Sequence, residues 1–598
     1  MKRVVVLSRR LYRRKSWPRL TDAARFSGLA LVAVALYLSV QPSVARAGNA
    51  VHTAKRPNVV LVMTDDQGYG DLSCHGNPLL NTPALDALYS SSLRLTNFHV
   101  DPTCSPTRAA LMTGRYSIRT GVWHTIMGRS ILRKDERTMA DLFSEAGYST
   151  AIFGKWHLGD NAPYRPQDRG FQEVLIHGGG GIGQTPDAWG NDYFDDTYSH
   201  NGKQKAFTGY CTDVWFDGAL EFIEANQDRP FFAYLPTNAA HGPFLVAERY
   251  SKPFRNKGVP SPRAEFYGMI VNIDENMARL ERHLEKLGLA DNTILIFMTD
   301  NGTAAGMRGS GGFNAGMRGT KGSQYEGGHR VPCFIRWPAA GIEGGRDVDQ
   351  LAAHVDLLPT LIESCRLTAP ANLALDGRSL LPLLTGRGTW KPRTLFVDSQ
   401  RIEHPEKWRK SAVMTDRWRL IDGRELYDRQ ADPGQQRDIA AENKKTVIQL
   451  RAEYENWWDD VSVRFDEYVR IELGSAQTES VQLTCHDWHA PIEQVPWNQT
   501  HVKQLLPGNG FWAVDVHHAG RYEFTLRTRP LKLAHPLKAK TARVKCGNVE
   551  RSIKIAPKAT FAQIVVPLPK GPAKLQTWLE TKERQSRGAY FVDVTRLD

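Results

Sequence analysis

Residues 58–66 have the sequence Asn-Val-Val-Leu-Val-Met-Thr-Asp-Asp, a continuous run of β-branched and aliphatic residues that ends in two carboxylates. A strand buried on both faces has this composition, because a strand with one wet face would alternate apolar and polar residues. Similar runs occur at 150–154, 231–235 and 293–298, and helical patterns lie between them, for example at 214–226 and 264–287. The alternation of buried strands with helices predicts an α/β fold with a mostly parallel sheet.

The pattern of predicted strands and helices changes towards the C-terminus. Residues 385–467 form a smaller unit with short strands and one helical stretch near 441–458. From 468 onward, short alternating strands are separated by turn residues, as in an antiparallel sandwich. We therefore predict a leader at 1–47, a main domain at 48–384, a C-terminal subdomain at 385–467 and an extra all-β, sandwich-like domain at 468–598.

Most of the net charge belongs to the N-terminal leader. The chain has 598 residues and a formal charge of +13, of which residues 1–47 contribute +9. Nucleic-acid binding is therefore not expected of the remainder. A basic region, the 13-residue apolar run 28–40 and an Ala-Arg-Ala site at 45–47 predict an export signal, with a twin-arginine-like stretch at 8–12.

The leader predicts the compartment of the protein. A run of 13 residues is short for a bilayer, which needs about 20. We expect an exported protein, periplasmic or secreted, without stable membrane insertion after signal cleavage; the alternative is an uncleaved anchor. Disulfides are permitted in that compartment, but the seven cysteines do not reveal a pairing.

Chemically reactive residues follow each of the four predicted strands. Ligands bind beyond the carboxyl ends of strands in open α/β sheets, so these residues should meet at one edge. An isolated strand-end Asp is often only a helix cap, but four coincident strand ends favour a site. The residues are Asp65 and Asp66, Lys155 and His157, His241, and Asp300 and Asn301.

Four of these residues predict a metal site. Asp65, Asp66, Asp300 and Asn301 offer hard oxygen ligands without clustered His or Cys, which favours Ca²⁺, or Mg²⁺, over Zn²⁺. Adjacent carboxylates repel one another at a sheet edge, and a divalent cation relieves that repulsion. The alternative for Asp65 and Asp66 is an exposed turn before Gly68.

A second motif begins at Cys104, in the sequence Cys-Ser-Pro-Thr-Arg108. Pro106 suits the first turn of a helix, so Cys104 should lie near a helix N-terminus, where anions are favoured. Arg108 follows four residues later and can reach back along the same helical face. These local arguments leave a reactive thiol and a buried cysteine as comparable alternatives.

The motif resembles the hallmark of the formylglycine-dependent sulfatases. Residues 104–108 with Leu-Met-Thr-Gly-Arg at 111–115 match it, and Gly-Lys-Trp-His-Leu-Gly at 154–159 resembles the second hallmark of that family. The resemblance covers about 55–460. It implies an alkaline-phosphatase-like α/β fold: a mostly parallel sheet sandwiched by helices, with a small α+β C-terminal subdomain built on an antiparallel sheet.

The resemblance also implies an activity and a modification. Cys104 would be oxidised to formylglycine (3-oxoalanine) by a maturation enzyme, so it is expected in no disulfide and, with the carboxylates, as a metal ligand. Arg108, Lys155 and Lys321 would meet the charge of a sulfate ester, such as a sulfated glycan or a small aryl sulfate. One hydroxyl of the hydrated aldehyde would attack sulfur, with His241 protonating the leaving oxygen, and His157 would then deprotonate the second hydroxyl to expel sulfate.

Other functions on the same scaffold stay open at this stage. A phosphonate or phosphate monoester hydrolase would use overlapping metal and nucleophile sets, and a non-catalytic glycan-binding protein could retain the fold. The glycine-rich stretches at 178–181 and 309–319 are candidate loops at the mouth of the site, although such runs are more often plain connections. The domain at 468–598 is expected to shield or extend the substrate cleft.

Overall fold

The structure is a computed structural model that describes residues 55–477, 479–581 and 585–598. The predicted signal peptide at 1–47 lies outside the described residues. Residues 55–598 form one compact unit. Among the described residues, we find no helix with the length and apolar character that crossing a bilayer requires.

A large sheet forms the centre of the main domain and confirms the predicted α/β class. Its strands from Thr293–Thr299 to Glu173–His177 run parallel, whereas the flanking pairings are mainly antiparallel. The four predicted strands are all present within this sheet. In spatial order the strands are Asp347–Val348, Leu93–Leu95, Cys333–Arg336, Thr293–Thr299, Asn58–Thr64, Phe231–Pro236, Ser149–Lys155, Glu173–His177, Thr197–His200 and Lys203–Ala206.

Helices cover both faces of the central sheet. Side chains of strand Asn58–Thr64 alternate between two cores: Val59 and Leu61 belong to one, Val60 and Val62 to the other. The first core is closed by helices Cys104–Thr113, Met139–Glu145 and Leu357–Ser364. The second is closed by helices Pro83–Ser91, Cys211–Ala225 and Arg263–Lys286. Further helices of the main domain are Glu248–Asn256, Glu326–His329 and Leu381–Thr385, and a small parallel pair joins Phe98–His99 to Ala352–Ala353.

The C-terminal subdomain has the predicted antiparallel sheet. Its strands are Leu395–Asp398, Ser411–Met414, Trp418–Ile421 and Glu425–Asp428. Helix Lys444–Val461 packs on this sheet through Leu450, Tyr454 and Trp457, which share a core with Val413 and Leu420.

The accessory region after 468 is a β-sandwich, as the strand pattern predicts. Its core includes Trp488 and Trp512 together with Ile126 and Tyr164 of the main domain, so the sandwich and the main domain share apolar contacts. Along the chain, the short helix Gln499–Lys503 lies between the strands Ser480–Thr484 and Phe511–Val516. One sheet has the order Ile471–Leu473, Phe511–Val516, Gly571–Glu580, Thr541–Cys546 and Val549–Lys554, with Ser586–Arg587 beside Gly571–Glu580; the other has the order Ser480–Thr484, Phe591–Arg596, Gly520–Arg527 and Ala562–Leu568.

Candidate active site

The carboxyl ends of the central strands bring the predicted acidic residues together. Strand Asn58–Thr64 pairs with Thr293–Thr299 in a register that sets Thr64 opposite Thr299, so Asp65 and Asp300 leave the sheet side by side. The Asp300 N–H donates to the Thr64 carbonyl oxygen at 3.0 Å. Because parallel strands deliver their carboxyl ends to one edge, residues more than 200 positions apart become neighbours.

Hydrogen bonds hold the acidic residues as one cluster. The Asp66 N–H donates to Asp300 Oδ1 at 3.0 Å. The Asn301 side-chain amide donates to Asp66 Oδ1 at 3.1 Å and to Asp300 Oδ1 at 2.8 Å. Asp65, Asp66, Asp300 and Asn301 are all buried, which excludes the alternative of an exposed turn at Asp65 and Asp66. Asp66 adopts φ of 59°, a left-handed conformation of the kind that concentrates at functional sites.

Two buried cations and one half-buried cation pair with the acidic cluster. Arg108 Nη2 lies 2.9 Å from Asp300 Oδ2 and 3.6 Å from Asp65 Oδ2. Lys155, which is fully buried, forms an ion pair with Asp65, and Lys321 forms one with Asp66. Because both ammonium groups pair with buried carboxylates, neither Lys155 nor Lys321 is a freely solvated surface lysine. The site therefore holds three fixed positive groups directly beside the carboxylates.

The pKa values of the neighbouring carboxyls Asp65 and Asp300 are shifted in opposite directions. Burial alone would raise the pKa of Asp65, but Lys155, His241 and Arg108 together hold it well below its usual range. Burial, reinforced by the Asp65 charge, raises the pKa of Asp300 to about 7 despite the nearby Arg108. Although burial favours its neutral form, Asp66 raises the pKa of Lys321. A divalent cation between Asp65 and Asp300 would relieve their mutual repulsion.

The donor atoms fit a hard divalent cation. The ligand atoms of Asp65, Cys104 and Asp300 lie within 4.8 Å of one another. Asp65 Oδ1 and Asn301 Oδ1 are buried and accept no hydrogen bond from the described residues. Buried oxygens without a donor are costly, and a cation would satisfy them. The residues present are thus suited to hold Ca²⁺ or Mg²⁺.

Cys104 is the first residue of helix Cys104–Thr113, as the Pro106 signal predicts. The side chain is buried, and all seven cysteines, each within the described residues, are free. Arg108, one helical turn later, also donates through Nη1 to the Lys155 carbonyl oxygen at 2.9 Å. Residue 104 therefore lies at a helix N-terminus among the carboxylates and cations, where a developing negative charge is stabilised.

His157 is held in one tautomer by its hydrogen bond. Its Nε2 lies 2.8 Å from the Thr125 carbonyl oxygen, which only accepts, so Nε2 carries the proton. Nδ1 is then a free lone pair, and it is buried without a partner among the described residues. Burial, reinforced by the Lys155 charge, holds the pKa of His157 well below its usual range. The Ser105 hydroxyl donates to the His157 carbonyl oxygen at 2.9 Å and ties this residue to the Cys104 helix.

His241 follows the strand Phe231–Pro236 and faces the acidic cluster from the other side. Its Nδ1 donates to the Gly242 carbonyl oxygen at 2.6 Å, which leaves Nε2 3.8 Å from Asp66 Oδ2. Burial lowers the pKa of His241, and the Asp66 charge opposes this shift. The Nε2 atom is therefore the one available to a ligand.

The segment 178–192 lies against both histidines. A Cβ atom added at Gly180 would stand 2.2 Å from Cε1 and Nε2 of the His157 ring, and one at Gly181 would stand 3.2 Å from His241 Nδ1. Gln184 Oε1 accepts the Gly180 N–H at 2.9 Å and fixes the approach. The glycine-rich stretch at 178–181 is thus packed on the site, where only a residue without a side chain fits next to His157.

A cleft of about 660 Å³ opens over this cluster. Asp66, His241 and Lys321 line its inner part, and Arg308, beside the second glycine-rich stretch, also lines it. The accessory β-sandwich contributes a wall through Trp497, Asn498, Gln499, Thr500 and Lys503. No local pattern identifies these residues as a wall of the site, because they come from a segment about 250 residues beyond His241.

The accessory region is fastened to the 178–192 segment by Gln499. Its side-chain amide donates to the carbonyl oxygens of Gln184 at 3.2 Å and Ala188 at 3.1 Å, and its Oε1 accepts the Gly190 N–H at 3.0 Å. His486 Nε2 lies 3.1 Å from Gln184 Oε1. Two segments of the sandwich therefore hold the loop that covers the histidines.

The chain is similar to proteins of one known family. The sequence model of the family described as Sulfatase matches residues 57–364, and the model described as N-sulphoglucosamine sulphohydrolase, C-terminal, matches residues 320–457. Human arylsulfatase A is 32% identical over 373 residues, which span 57% of this chain and 70% of that protein. Human N-acetylgalactosamine-6-sulfatase is 33% identical over 356 residues, 55% of this chain and 66% of that protein.

Solved structures share the fold. The crystal structure of Ps i-CgsB in complex with k-i-k-neocarrahexaose has a TM-score of 0.63 and 26% identity, and the match covers 70% of this chain and 95% of that one. The structure of BT4656 in complex with D-glucosamine-2-N,6-O-disulfate has a TM-score of 0.56 at 23% identity, over 69% of this chain, and supports the fold alone. With the family match spanning half of the sequence, the chain belongs to the sulfatase family and is a sulfuric ester hydrolase.

Proposed function

We propose that this protein hydrolyses sulfate esters of sulfated carbohydrates, with formylglycine at position 104 as the nucleophile. The observation that carries the proposal is the juxtaposition of residue 104 with the carboxylates of Asp65 and Asp300, which pair with the cations Lys155 and Arg108. A binding protein for neutral sugars has no use for the buried cations Arg108 and Lys155, whose desolvation is costly, or for a third, half-buried cation at Lys321. Matched sulfate and phosphate esters distinguish this function from phosphonate or phosphate monoester hydrolysis.

The chain's cations bind the sulfate group. Arg108, Lys155 and Lys321 are each held by a carboxylate, so their positions are set before the substrate arrives. Such preorganised charges stabilise negative charge that develops during the reaction without the cost of reorganising solvent. Replacement of Lys321 by Met should lower kcat/KM for an aryl sulfate by at least about 100-fold, a typical loss for one preorganised charge.

The two histidines move the protons. His241 acts as an imidazolium, a form that the Asp66 carboxylate 3.8 Å from Nε2 favours, and donates its Nε2 proton to the leaving oxygen while Nδ1–H stays bonded to the Gly242 carbonyl oxygen. His157 accepts a proton at Nδ1, because the Thr125 carbonyl fixes the proton on Nε2. Each ring thus has one nitrogen bonded to a carbonyl and one free nitrogen, and the roles differ in charge: His241 beside Asp66 is the imidazolium acid, and neutral His157 is the base.

Asp65, Asp66, Asp300, Asn301 and residue 104 would hold the divalent cation. When bound, Ca²⁺ or Mg²⁺ would withdraw negative charge from the sulfate oxygens and favour attack at sulfur. The carboxylate oxygens favour either ion over Zn²⁺. Activity lost on dialysis against a chelator and restored by one of the two ions, but not the other, would distinguish them.

Cys104 requires conversion to formylglycine by a maturation enzyme of the host. The absence of any disulfide partner for Cys104 is compatible with this chemistry. Mass spectrometry of the tryptic peptide that contains residue 104, from protein of the native host, should show oxygen in place of sulfur with the loss of two hydrogens. An intact thiol in catalytically active protein would contradict the proposal.

The cleft supports a carbohydrate ester as substrate. Half-buried Trp497 on one wall offers an aromatic face, while exposed Arg308 and Lys503 offer positive charge beyond the inner cations. A sugar ring can stack on the Trp497 face, and further anionic substituents of the substrate can pair with Arg308 and Lys503. The accessory region at 468–598 thus extends the cleft, as its predicted boundary and role suggest.

The leader at 1–47 exports the protein to the periplasm or the medium. Cleavage after the Ala-Arg-Ala site would leave Gly48 as the first residue. N-terminal sequencing of the protein recovered from the native host tests this step. Retention in the membrane fraction with an intact N-terminus would support the anchor alternative instead.

One experiment tests the proposed substrate class. Matured enzyme is incubated with a panel of sulfated oligosaccharides, 4-nitrophenyl sulfate and 4-nitrophenyl phosphate, and released sulfate or phosphate is measured. We expect kcat/KM to be highest for a sulfated oligosaccharide. Trp497→Ala should raise KM for that oligosaccharide more than KM for the aryl sulfate, whereas Trp418→Ala, outside the cleft, serves as the matched control. A preference for the phosphate ester would contradict the proposal.

A further inference from the structure

A second concave surface lies on the accessory β-sandwich. It is formed on the outer face of the sheet that contains Phe511–Val516, Gly571–Glu580 and Thr541–Cys546, and its volume is about 720 Å³. Along Gly571–Glu580, Leu575 and Leu579 point into the core, while Lys574 and Trp578 point outward. This groove shares no lining residue with the cleft that contains His241.

The groove carries positive charge only. Its lining includes Arg470, Arg543, Lys545, Lys570 and Lys574, and no carboxylate among the described residues. Glu550 and Glu580 flank it and contact Arg543 at 3.1 and 3.4 Å. Lys570 and Lys574 are exposed and have no carboxylate within 4.0 Å among the described residues, so their charge is available to a ligand.

Aromatic rings hold some of these cations in place. The Arg543 guanidinium lies 3.9 Å from the centroid of Trp578, its partner across the two strands. The Lys574 ammonium lies 4.3 Å from the centroid of Phe511. Successive outward positions on a strand are about 7 Å apart. The basic side chains on neighbouring strands of this sheet are therefore separated along the groove. An array of this kind fits a ligand with repeated anionic groups better than a single monoester.

We propose that this groove binds a sulfated polysaccharide chain, at a site separate from the catalytic cleft. The identity of the ligand rests on the proposed function, since the polymer would be the enzyme's own substrate, retained near the cleft. Single-stranded nucleic acid is less suited to this groove. Proteins that bind it present open aromatic faces on which the bases stack, whereas here cations cover one face each of Trp578 and Phe511.

The test compares two triple variants of the full chain. One replaces Lys545, Lys570 and Lys574 by Gln; the control replaces Lys252, Lys257 and Lys445, which are exposed elsewhere and carry the same total charge. Binding to dextran sulfate, to neutral dextran and to single-stranded DNA is measured over a range of NaCl concentrations. Thermal unfolding verifies that both variants fold.

We expect the groove variant to bind dextran sulfate at least about tenfold more weakly than wild type and with a smaller salt dependence, because three charge contacts are lost. The control should bind as wild type does, and neutral dextran should not be retained. Equal losses in both variants, an unchanged groove variant, or tighter binding of DNA than of dextran sulfate would overturn the inference. Failure of matured wild type to hydrolyse any sulfate ester would contradict the proposed function instead, and leaves the binding comparison intact.

Discussion

Gly180→Ala is the sharpest test of the assigned catalytic base. The new Cβ would lie 2.2 Å from Cε1 and Nε2 of His157, whereas ordinary contacts are 3.4–4 Å. The His157 ring must therefore retreat by about 1 Å or more, which breaks the 2.8 Å hydrogen bond between Nε2 and the Thr125 carbonyl oxygen. The ring would lose both its position and its fixed tautomer.

The expected cost falls mainly on catalysis. A misplacement of about 1 Å typically costs about 100-fold in rate, and removal of a general base costs about 100- to 10,000-fold. Overpacking of this kind also destabilises by about 1–3 kcal/mol. We therefore expect kcat on 4-nitrophenyl sulfate to fall about 100-fold in Gly180→Ala, with a moderately lower Tm.

A double-mutant cycle separates the ring displacement from general damage. The kcat of wild type, Gly180→Ala, His157→Ala and the double variant are measured on matured enzyme with equal formylglycine content. If the clash acts through His157, Gly180→Ala should cost little more once the ring is absent. Strict additivity of the two losses, or a kcat of Gly180→Ala within twofold of wild type, would refute the assignment.

Three further predictions concern the metal, the stability and the cleft wall. Exhaustive chelation should abolish activity and lower Tm, because Asp65 and Asp300 then repel one another without a cation, and Ca²⁺ or Mg²⁺ should restore both. Burial raises the pKa of Asp71 to about 7 in the folded protein, against 3.8 in the unfolded chain. The stability that the protonated side chain contributes is therefore fully present below pH 3.8 and is lost as the pH rises through about 7. In unfolding curves, the free energy of unfolding of Asp71→Asn should rise relative to that of wild type by up to about 4 kcal/mol between pH 4 and pH 8. Gln499→Ala removes the bonds to the 178–192 segment and should raise KM for sulfated oligosaccharides and speed proteolysis at 184–190, whereas Gln504→Ala, an exposed neighbour, should change neither.

The strand-end argument predicted the composition of the site because it uses only local information. A continuous apolar run such as 58–64 must be buried on both faces, and a parallel sheet then delivers Asp65 and Asp300 to one edge whatever the helices do. The Pro106 signal likewise placed Cys104 at a helix N-terminus. The left-handed backbone at Asp66 and His157 has no such signal, since neither residue is glycine.

The sequence could not predict which cation pairs with which carboxylate. Nothing in the spacing of Lys155 and Lys321 indicates that the first meets Asp65 and the second Asp66, because those contacts depend on how separate loops pack. The same holds for the tautomer of His157, which the Thr125 carbonyl decides.

Local sequence patterns indicate which residues follow buried strands, which cysteine begins a helix, and that residues 468–598 form a β-sandwich. The contact between this sandwich and the active site is visible only in the folded structure, where Trp497 and Gln499 contact the 178–192 segment more than 300 residues earlier in the chain. Local patterns encode burial and backbone preference, whereas contacts between distant segments depend on the shapes of two finished surfaces. The walls of the cleft, and with them the choice of substrate, are of that second kind.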